Sequence, residues 1–352
     1  MLVYILRRLA YGLLVLVLVV TTITGIIFLA PVDPAQLTFG QRSDVSTVQA
    51  KTAELGLDQP LHVQLGRYLT DLSPLSVLES SPENQRRYSF VRLWALEDNR
   101  YWVLKKPYLR ESYQTGRPVV EILAQAIPVT ALLATVALLL AIVLGLGFGI
   151  VAALRPHTGW DHFISIISVF GYSLPTYVAA MLLALVFGYA LGDWTGLNIQ
   201  GSLYVLDDFG DWRLQLRNLV LPALALGLRP VALITQLTRS AMLEVLAQDY
   251  VRTARAKGLP ARRVIVRHAL RNALNPLVSA ISGWFAALLT GAFFVENVFN
   301  FKGLGDATVT ALLNFDIPVV LGCVLFTSAT FVVINLLADL LYAWLDPRVR
   351  IG

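Results

Sequence analysis

Residues Arg239 to Arg271 read RSAMLEVLAQDYVRTARAKGLPARRVIVRHALR, a strongly basic, helix-forming segment set between long apolar runs. It holds eight Lys/Arg (Arg239, Arg252, Arg255, Lys257, Arg262, Arg263, Arg267 and Arg271) against Glu244 and Asp249, a net of +6 in a chain whose total is +5. The rest of the chain is therefore slightly acidic. Gly258-Leu259-Pro260 interrupts the helix-forming residues, because Gly tolerates a left-handed cap and Pro disfavours helix at its predecessor while suiting the first turn of the next. A helix from Leu243 to Lys257 and a second one after the bend are expected, with an apolar ridge flanked by charge. Such a segment suits a groove in a partner protein, and equally a surface of anionic lipid headgroups.

Working outward, the apolar fraction of 56%, the charged fraction of 14% and a mean hydropathy of +0.65 exclude an ordinary soluble domain. A membrane span needs about 20 apolar residues. Charge-free runs of that scale occur at Leu9 to Ala30, Ile122 to Leu154, Phe163 to Gly192, Asn272 to Val295 and Ile317 to Ala338. A sixth, Leu219 to Thr238, is interrupted by Arg229, Pro222 and Pro230 but is needed to keep the flanking loops on consistent sides. The expected fold is an all-α polytopic membrane protein with six transmembrane helices. Arg7 and Arg8 precede an apolar run too long for a cleavable signal core, so the first helix reads as an uncleaved anchor. The lone Cys323 lies within the last span and reads as packing.

Six spans put both termini on one side. Arg7, Arg8, Arg155, the eight basic residues of the central loop, Arg348 and Arg350 make thirteen on that face, against Arg213, Arg217 and Lys302 in the two short opposite loops. By the positive-inside rule, both termini and the basic loop are cytoplasmic. Residues 31–118, with eleven basic and ten acidic residues, form a long excursion that is exempt from the rule and is expected outside. Its Tyr88, Trp94, Tyr101, Trp102 and Tyr108 point to a partly folded extracytoplasmic subdomain. Within it, Gly56 to Pro60 reads as a turn into an amphipathic helix carrying Leu61, Leu65 and Leu69, whose apolar face needs a partner in the loop itself, the membrane surface or a neighbouring subunit.

The chemistry of the chain is sparse. No G-x-x-x-x-G-K-[ST] phosphate loop occurs, so ATP would have to bind to another chain. His62, His157, His162 and His268 lack metal-ligand spacing, and no Ser or Cys stands in a nucleophile arrangement. The chain is not expected to be an enzyme, to hold a cofactor or to bind nucleic acid. Intramembrane charge is limited to Arg229 and Asp339, read as lying near span ends, and to Glu296 at the end of the fifth span.

Several stretches in order, YILRRL (Tyr4 to Leu9), LAP (Leu29 to Pro31), LGLDQPLHVQ (Leu55 to Gln64), TGRPV (Thr115 to Val119), DYVRTARAKGLP (Asp249 to Pro260), RHALRNAL (Arg267 to Leu274), GLG (Gly303 to Gly305) and LYAWLDPRVR, resemble the permease subunits of bacterial binding-protein-dependent ABC importers in their dipeptide, oligopeptide and nickel branch. Arg252, Thr253 and Ala254 stand where the wider family carries Glu-Ala-Ala, and residues from about Pro74 to Pro107 look like an insertion. The resemblance implies a type I importer fold in which 1–352 is one permease domain, 31–118 an extracytoplasmic subdomain and 239–275 the coupling loop. It implies a bacterial inner-membrane location and half of a translocation pathway for short peptides, with nickel or another small solute as the alternative and a non-transporting scaffold as the alternative of another class. The implied partners are a homologous second permease, two cytoplasmic ATP-binding subunits carrying ATP and Mg, an extracytoplasmic solute-binding protein and membrane lipid. The residues implied in coupling to the ATPase are Asp249, Tyr250, Arg252, Thr253, Ala254, Arg255, Ala256, Lys257, Gly258, Leu259 and Pro260.

Overall fold

The computed structural model describes residues 2–29, 58–79, 81–96, 99–207, 209–274, 277, 281, 283–285, 287–289 and 292–345. In chain order its elements are α1 (Leu2–Leu29), α2 (Leu61–Leu72), β1 (Leu75–Glu79), α3 (Pro82–Arg87), β2 (Phe90–Ala95), β3 (Arg100–Lys105), α4 (Val119–Leu154), α5 (Gly159–Ser173), α6 (Thr176–Leu183, continued by a π-helical segment Ala184–Ala190) and α7 (Gly192–Thr195). There follow β4 (Tyr204–Leu206), β5 (Trp212–Leu214), α8 (Arg217–Leu246), α9 (Asp249–Ala256), α10 (Ala261–Arg263, continued by π-helical Val264–Leu270), α11 (Arg271–Ala273), α12 (Phe293–Phe299), α13 (Leu304–Leu313) and α14 (Ile317–Leu345).

Helices α1, α4, α8 and α14 each have the length and composition to cross a bilayer. The run from Phe163 to Gly192 is a bent pair rather than one straight helix: α5 and the α6 segment meet at 111°. Leu174 is extended there, with ψ 130°, because Pro175 excludes helix at its predecessor and offers no N–H to continue the ladder. Pro128 in α4 and Pro222 and Pro230 in α8, by contrast, lie inside continuous helices. Nine of the 24 residues of the expected span Asn272 to Val295 fall outside the described residues.

The chain divides into two compact units. In the first, made of 1–12, 125–309 and 327–352, α4 lies against α8 through small residues. A Cβ on Gly145 would stand 2.7 Å from Ile234, and one on Gly149 2.5 Å from Thr238. Close approach of this kind replaces the hydrophobic drive that lipid removes. Ala134, Ala137 and Ala141 of α4 are fully buried, and Leu133 joins Leu221, Ala225, Phe299 and Phe301 in one core. Arg8 pairs with Asp339 at 2.5 Å.

The second unit holds 13–124 and 310–326. The apolar face of α2 does find its partner, but in none of the three places expected: Tyr68, Leu65, Leu69 and Leu72 pack against Val20 and Ile23 of α1 and Leu321 and Leu325 of α14. The aromatic-rich insertion folds into an antiparallel sheet in the order β1-β3-β2, with Leu75 opposite Leu104 and Phe90 opposite Lys105. Alternation sends Ser76, Val103 and Lys105 inward and leaves Leu75, Val77, Val91, Trp102 and Leu104 exposed. Beneath the sheet Asp71 gathers the Tyr88 hydroxyl at 2.5 Å and the Arg110 guanidinium at 2.8 Å, while its carbonyl accepts the Lys105 ammonium at 2.8 Å. Burial lowers the Lys105 pKa below the usual lysine range, opposed by Asp71, and burial together with Asp71 raises the Tyr88 phenol. The residues just before TGRPV are clamped to the residue that precedes α14: the Ser112 hydroxyl and the Tyr113 N–H both donate to Asp316, at 2.5 Å and 3.0 Å.

Candidate functional site

The basic segment forms an elbow in three parts. The helix expected from Leu243 to Lys257 is broken: α8 ends at Leu246, Gln248 is extended with ψ 147°, and α9 begins at Asp249. Tertiary packing overrides the helix propensity of these residues. The break turns Val251 and Ala254 onto Val264, Val245, Leu246 and Leu259, whereas a continuous helix would have carried them away along its axis. Asp249 in the first turn and Arg255 in the last then complement the α9 dipole.

The end of α9 is a Schellman cap. Gly258 has φ +75°, its N–H bonds the Arg255 carbonyl at 3.0 Å, and the Leu259 N–H bonds the Ala254 carbonyl at 3.4 Å. Leu259 packs against the cluster that holds Ala254, in keeping with the apolar contact that accompanies this motif. Pro260 then caps the next helix, its carbonyl accepting the N–H groups of Arg263 and Val264 at 2.9 Å and 3.2 Å. The expected bend is thus present at the expected residues.

The helical return segment of the elbow is tied down twice. Ala269 and Ala273 pack on Met242 of α8 and Ala153 of α4. The Asn272 amide donates to the Tyr250 hydroxyl at 2.7 Å. Of the residues expected to act in coupling, Ala254 is therefore internal and Tyr250 braces the elbow, whereas Asp249, Arg252, Thr253, Arg255, Ala256, Lys257, Gly258 and Pro260 are exposed and Leu259 is half-buried. Arg252 and Asp249 form an exposed pair at 3.5 Å, too solvated to matter much for stability.

Seven of the eight basic residues face outward; Arg239 does not. Its guanidinium donates to both oxygens of Asp161, at 2.6 Å and 2.7 Å, and the His157 N–H donates to the same carboxylate at 2.9 Å. This pair joins the α4–α5 turn to α8 just above the elbow. The signal that could have found it is Thr158-Gly-Trp-Asp161, a capping-box spacing at the head of an apolar run. Glu296 is another internal group: fully buried, it accepts the Thr130 hydroxyl at 2.6 Å and the N–H groups of Gly305 and Asp306 at 2.7 Å and 3.1 Å. Among the described residues no three His, Cys, Asp or Glu gather into a metal-binding group.

Comparison with known proteins gives these features a family. Residues 145–351 match the model of the binding-protein-dependent transport system inner membrane component, and residues 1–80 match its membrane-component N-terminal model. The chain belongs to this family of transport permeases. Relatives of the permease span its whole length. The probable D,D-dipeptide transport system permease protein of Escherichia coli is 35% identical, covering 99% of this chain and 98% of that one. The dipeptide transport system permease protein of Alkalihalophilus pseudofirmus is 32% identical over 99% and 100%. A solved structure of the methionine ABC transporter MetNI in an inward-facing conformation matches 64% of the permease and 97% of its own chain, with a TM-score of 0.52 at 16% identity. At that identity the likeness speaks for the fold alone, that of a multi-pass helical membrane protein.

Proposed function

We propose that this permease forms half of the translocation pathway of an ATP-driven importer of short peptides. The observation that carries the reading is the set of full-length relatives at 32–35% identity whose names are those of peptide or dipeptide permeases. The elbow supports the way work enters. Its α9 presents Arg252, Arg255 and Lys257 outward while Val251 and Ala254 anchor it, and its return segment is packed on the ends of α4 and α8. A push on α9 by a closing ATPase is delivered to the spans as a rigid-body displacement. ATP and Mg belong to two separate cytoplasmic subunits, a homologous permease supplies the other half of the pathway, and a solute-binding protein delivers the peptide. The basic face of the elbow and the bias of thirteen against three basic residues support cytoplasmic termini and an extracytoplasmic insertion.

The test is reconstitution with the neighbouring permease, ATPases and binding protein. ATP-dependent uptake of labelled dipeptide into vesicles is expected, and uptake of nickel but not peptide would reject the peptide reading.

A further inference from the structure

Between Arg217 and Arg239, α8 carries one charged residue, Arg229. Those flanking arginines lie about 33 Å apart along the helix, close to the thickness of a hydrocarbon core of about 30 Å. Arg229 stands about 18 Å from one and about 15 Å from the other. It is therefore at mid-depth, not near a span end as its sequence context implied. A second helix gives the same depth. Counting from the Asp161–Arg239 pair, Tyr172 lies eleven residues up α5 and Arg229 ten residues back along α8, and the two meet with the guanidinium 5.2 Å from the ring centroid.

The Arg229 side chain is exposed on this chain, and no carboxylate among the described residues pairs with it. A guanidinium at the centre of a span is too far from either interface to snorkel, so it faces a water-filled cavity or a partner group rather than acyl chains. The backbone beside it is also broken. Immediately after Tyr172 and Ser173, α5 ends and α6 leaves at 111°, and both Ser173 and Pro175 are exposed. Irregular backbone at membrane depth is tolerated where it lines a cavity, and such breaks mark solute sites at the midplane of transporters. Beyond the break Tyr177 and Phe294 form an exposed aromatic pair with centroids 6.1 Å apart.

We propose that Arg229, held on the face of Tyr172 beside this break, lines the translocation pathway and pairs with the C-terminal carboxylate of the transported peptide. The ring fixes the plane of the guanidinium and leaves its N–H edge for a bidentate carboxylate, the geometry in which Arg differs from Lys. The proposal rests on the peptide reading above and assigns that reading a residue.

The experiment uses the whole complex in proteoliposomes and compares uptake of a labelled dipeptide with that of its C-terminal amide, each preloaded on the binding protein. Arg229→Met is expected to lower uptake of the free acid about tenfold, the effect of losing one charge-assisted pair, and to leave uptake of the amide unchanged. Arg229→Lys keeps part of the preference. In a Cys323→Ala background, Arg229→Cys is expected to react with a membrane-impermeant thiol reagent in at least one nucleotide state. Equal loss of acid and amide, an unaltered preference in Arg229→Met, or a cysteine inert in every state would each overturn the proposal while peptide uptake by the wild type stands. A wild-type complex that imports no dipeptide would overturn both readings together.

Discussion

Arg239 grips Asp161 with two parallel hydrogen bonds, 2.6 Å and 2.7 Å long, across 78 residues of sequence. The carboxylate side chain is only 4% exposed and the guanidinium 28%. Removing one partner from such a pair strands a buried charge, a loss of about 3 kcal/mol or more, whereas removing both costs far less. Arg239→Met is therefore expected to lower the thermal stability of the purified complex clearly. The double variant Asp161→Asn with Arg239→Met should recover a good part of the loss. Additive losses in the thermal midpoint would show that the two side chains do not act as a pair.

Gly258 offers a cleaner test of the elbow, because a Cβ there meets nothing within 4 Å and the only penalty is its φ of +75°. Asn tolerates this region and a β-branched residue does not, a difference of about 1 kcal/mol or more. Gly258→Asn should retain ATP hydrolysis stimulated by the loaded binding protein, and Gly258→Val should lose much of it with assembly intact. Equal stimulation in the two variants would remove the bend from the coupling path.

Much of this was legible in the sequence because it is governed by local rules. Runs of apolar residues marked α1, α4, α8 and α14, and Gly258 with Pro260 marked the turn of the elbow. What escaped was set by contacts between distant residues. The break at Ala247 and Gln248 exists because Val251 and Ala254 gain Val264 as a neighbour, which no periodicity between Leu243 and Lys257 reveals. Arg239 belongs by sequence to the basic set of the elbow, yet its partner lies on another helix. Arg229 reads as near a span end in sequence, whereas the continuity of α8 through Pro222 and Pro230 sets it about midway along the helix between Arg217 and Arg239. The short strands of the insertion were hidden by mixed charge, their alternation visible only once Lys105 is known to face inward.

The buried carboxylate of Glu296 makes its own prediction. The Thr130 hydroxyl accepts the Leu304 N–H at 2.7 Å, so its proton is committed to Glu296. Glu296→Gln places an amide donor or a single acceptor where two acceptor oxygens are used, and Glu296→Leu leaves two N–H groups and a hydroxyl buried without partners. Each orphaned group costs about 1–3 kcal/mol, so Glu296→Leu should destabilise much more than Glu296→Gln. Gly303→Ala should resemble Glu296→Leu, because its Cβ would sit 2.5 Å from both carboxylate oxygens and from the Thr130 hydroxyl. The yield of monodisperse complex after heating measures the order, and a tolerated Glu296→Leu would sink the argument.

The insertion is built to be removed. Its ends meet, since the Lys105 N–H bonds the Pro74 carbonyl at 2.9 Å and the Tyr108 N–H bonds the Asp71 carbonyl at 2.9 Å. Replacing Leu75 to Lys106 by a two-residue turn therefore leaves the chain path across this point unstretched. The excision takes Tyr88 and Lys105 from Asp71 but leaves it the Arg110 pair at 2.8 Å, so the second unit should keep its α2 packing with a modest loss of stability. What disappears is the exposed sheet face of Leu75, Val77, Val91, Trp102 and Leu104, a concentration of apolar and aromatic surface of the kind interfaces use. If the solute-binding protein docks there, which an extracytoplasmic position allows, basal ATP hydrolysis should be unchanged while the binding-protein concentration for half-maximal stimulation rises several-fold. Trp102→Ser and Val77→Ser within the intact sheet should move the same midpoint in the same direction. Stimulation that is unchanged at every binding-protein concentration would assign the sheet another purpose, and protease cleavage of the insertion only from the cytoplasmic face of sealed vesicles would reverse the topology.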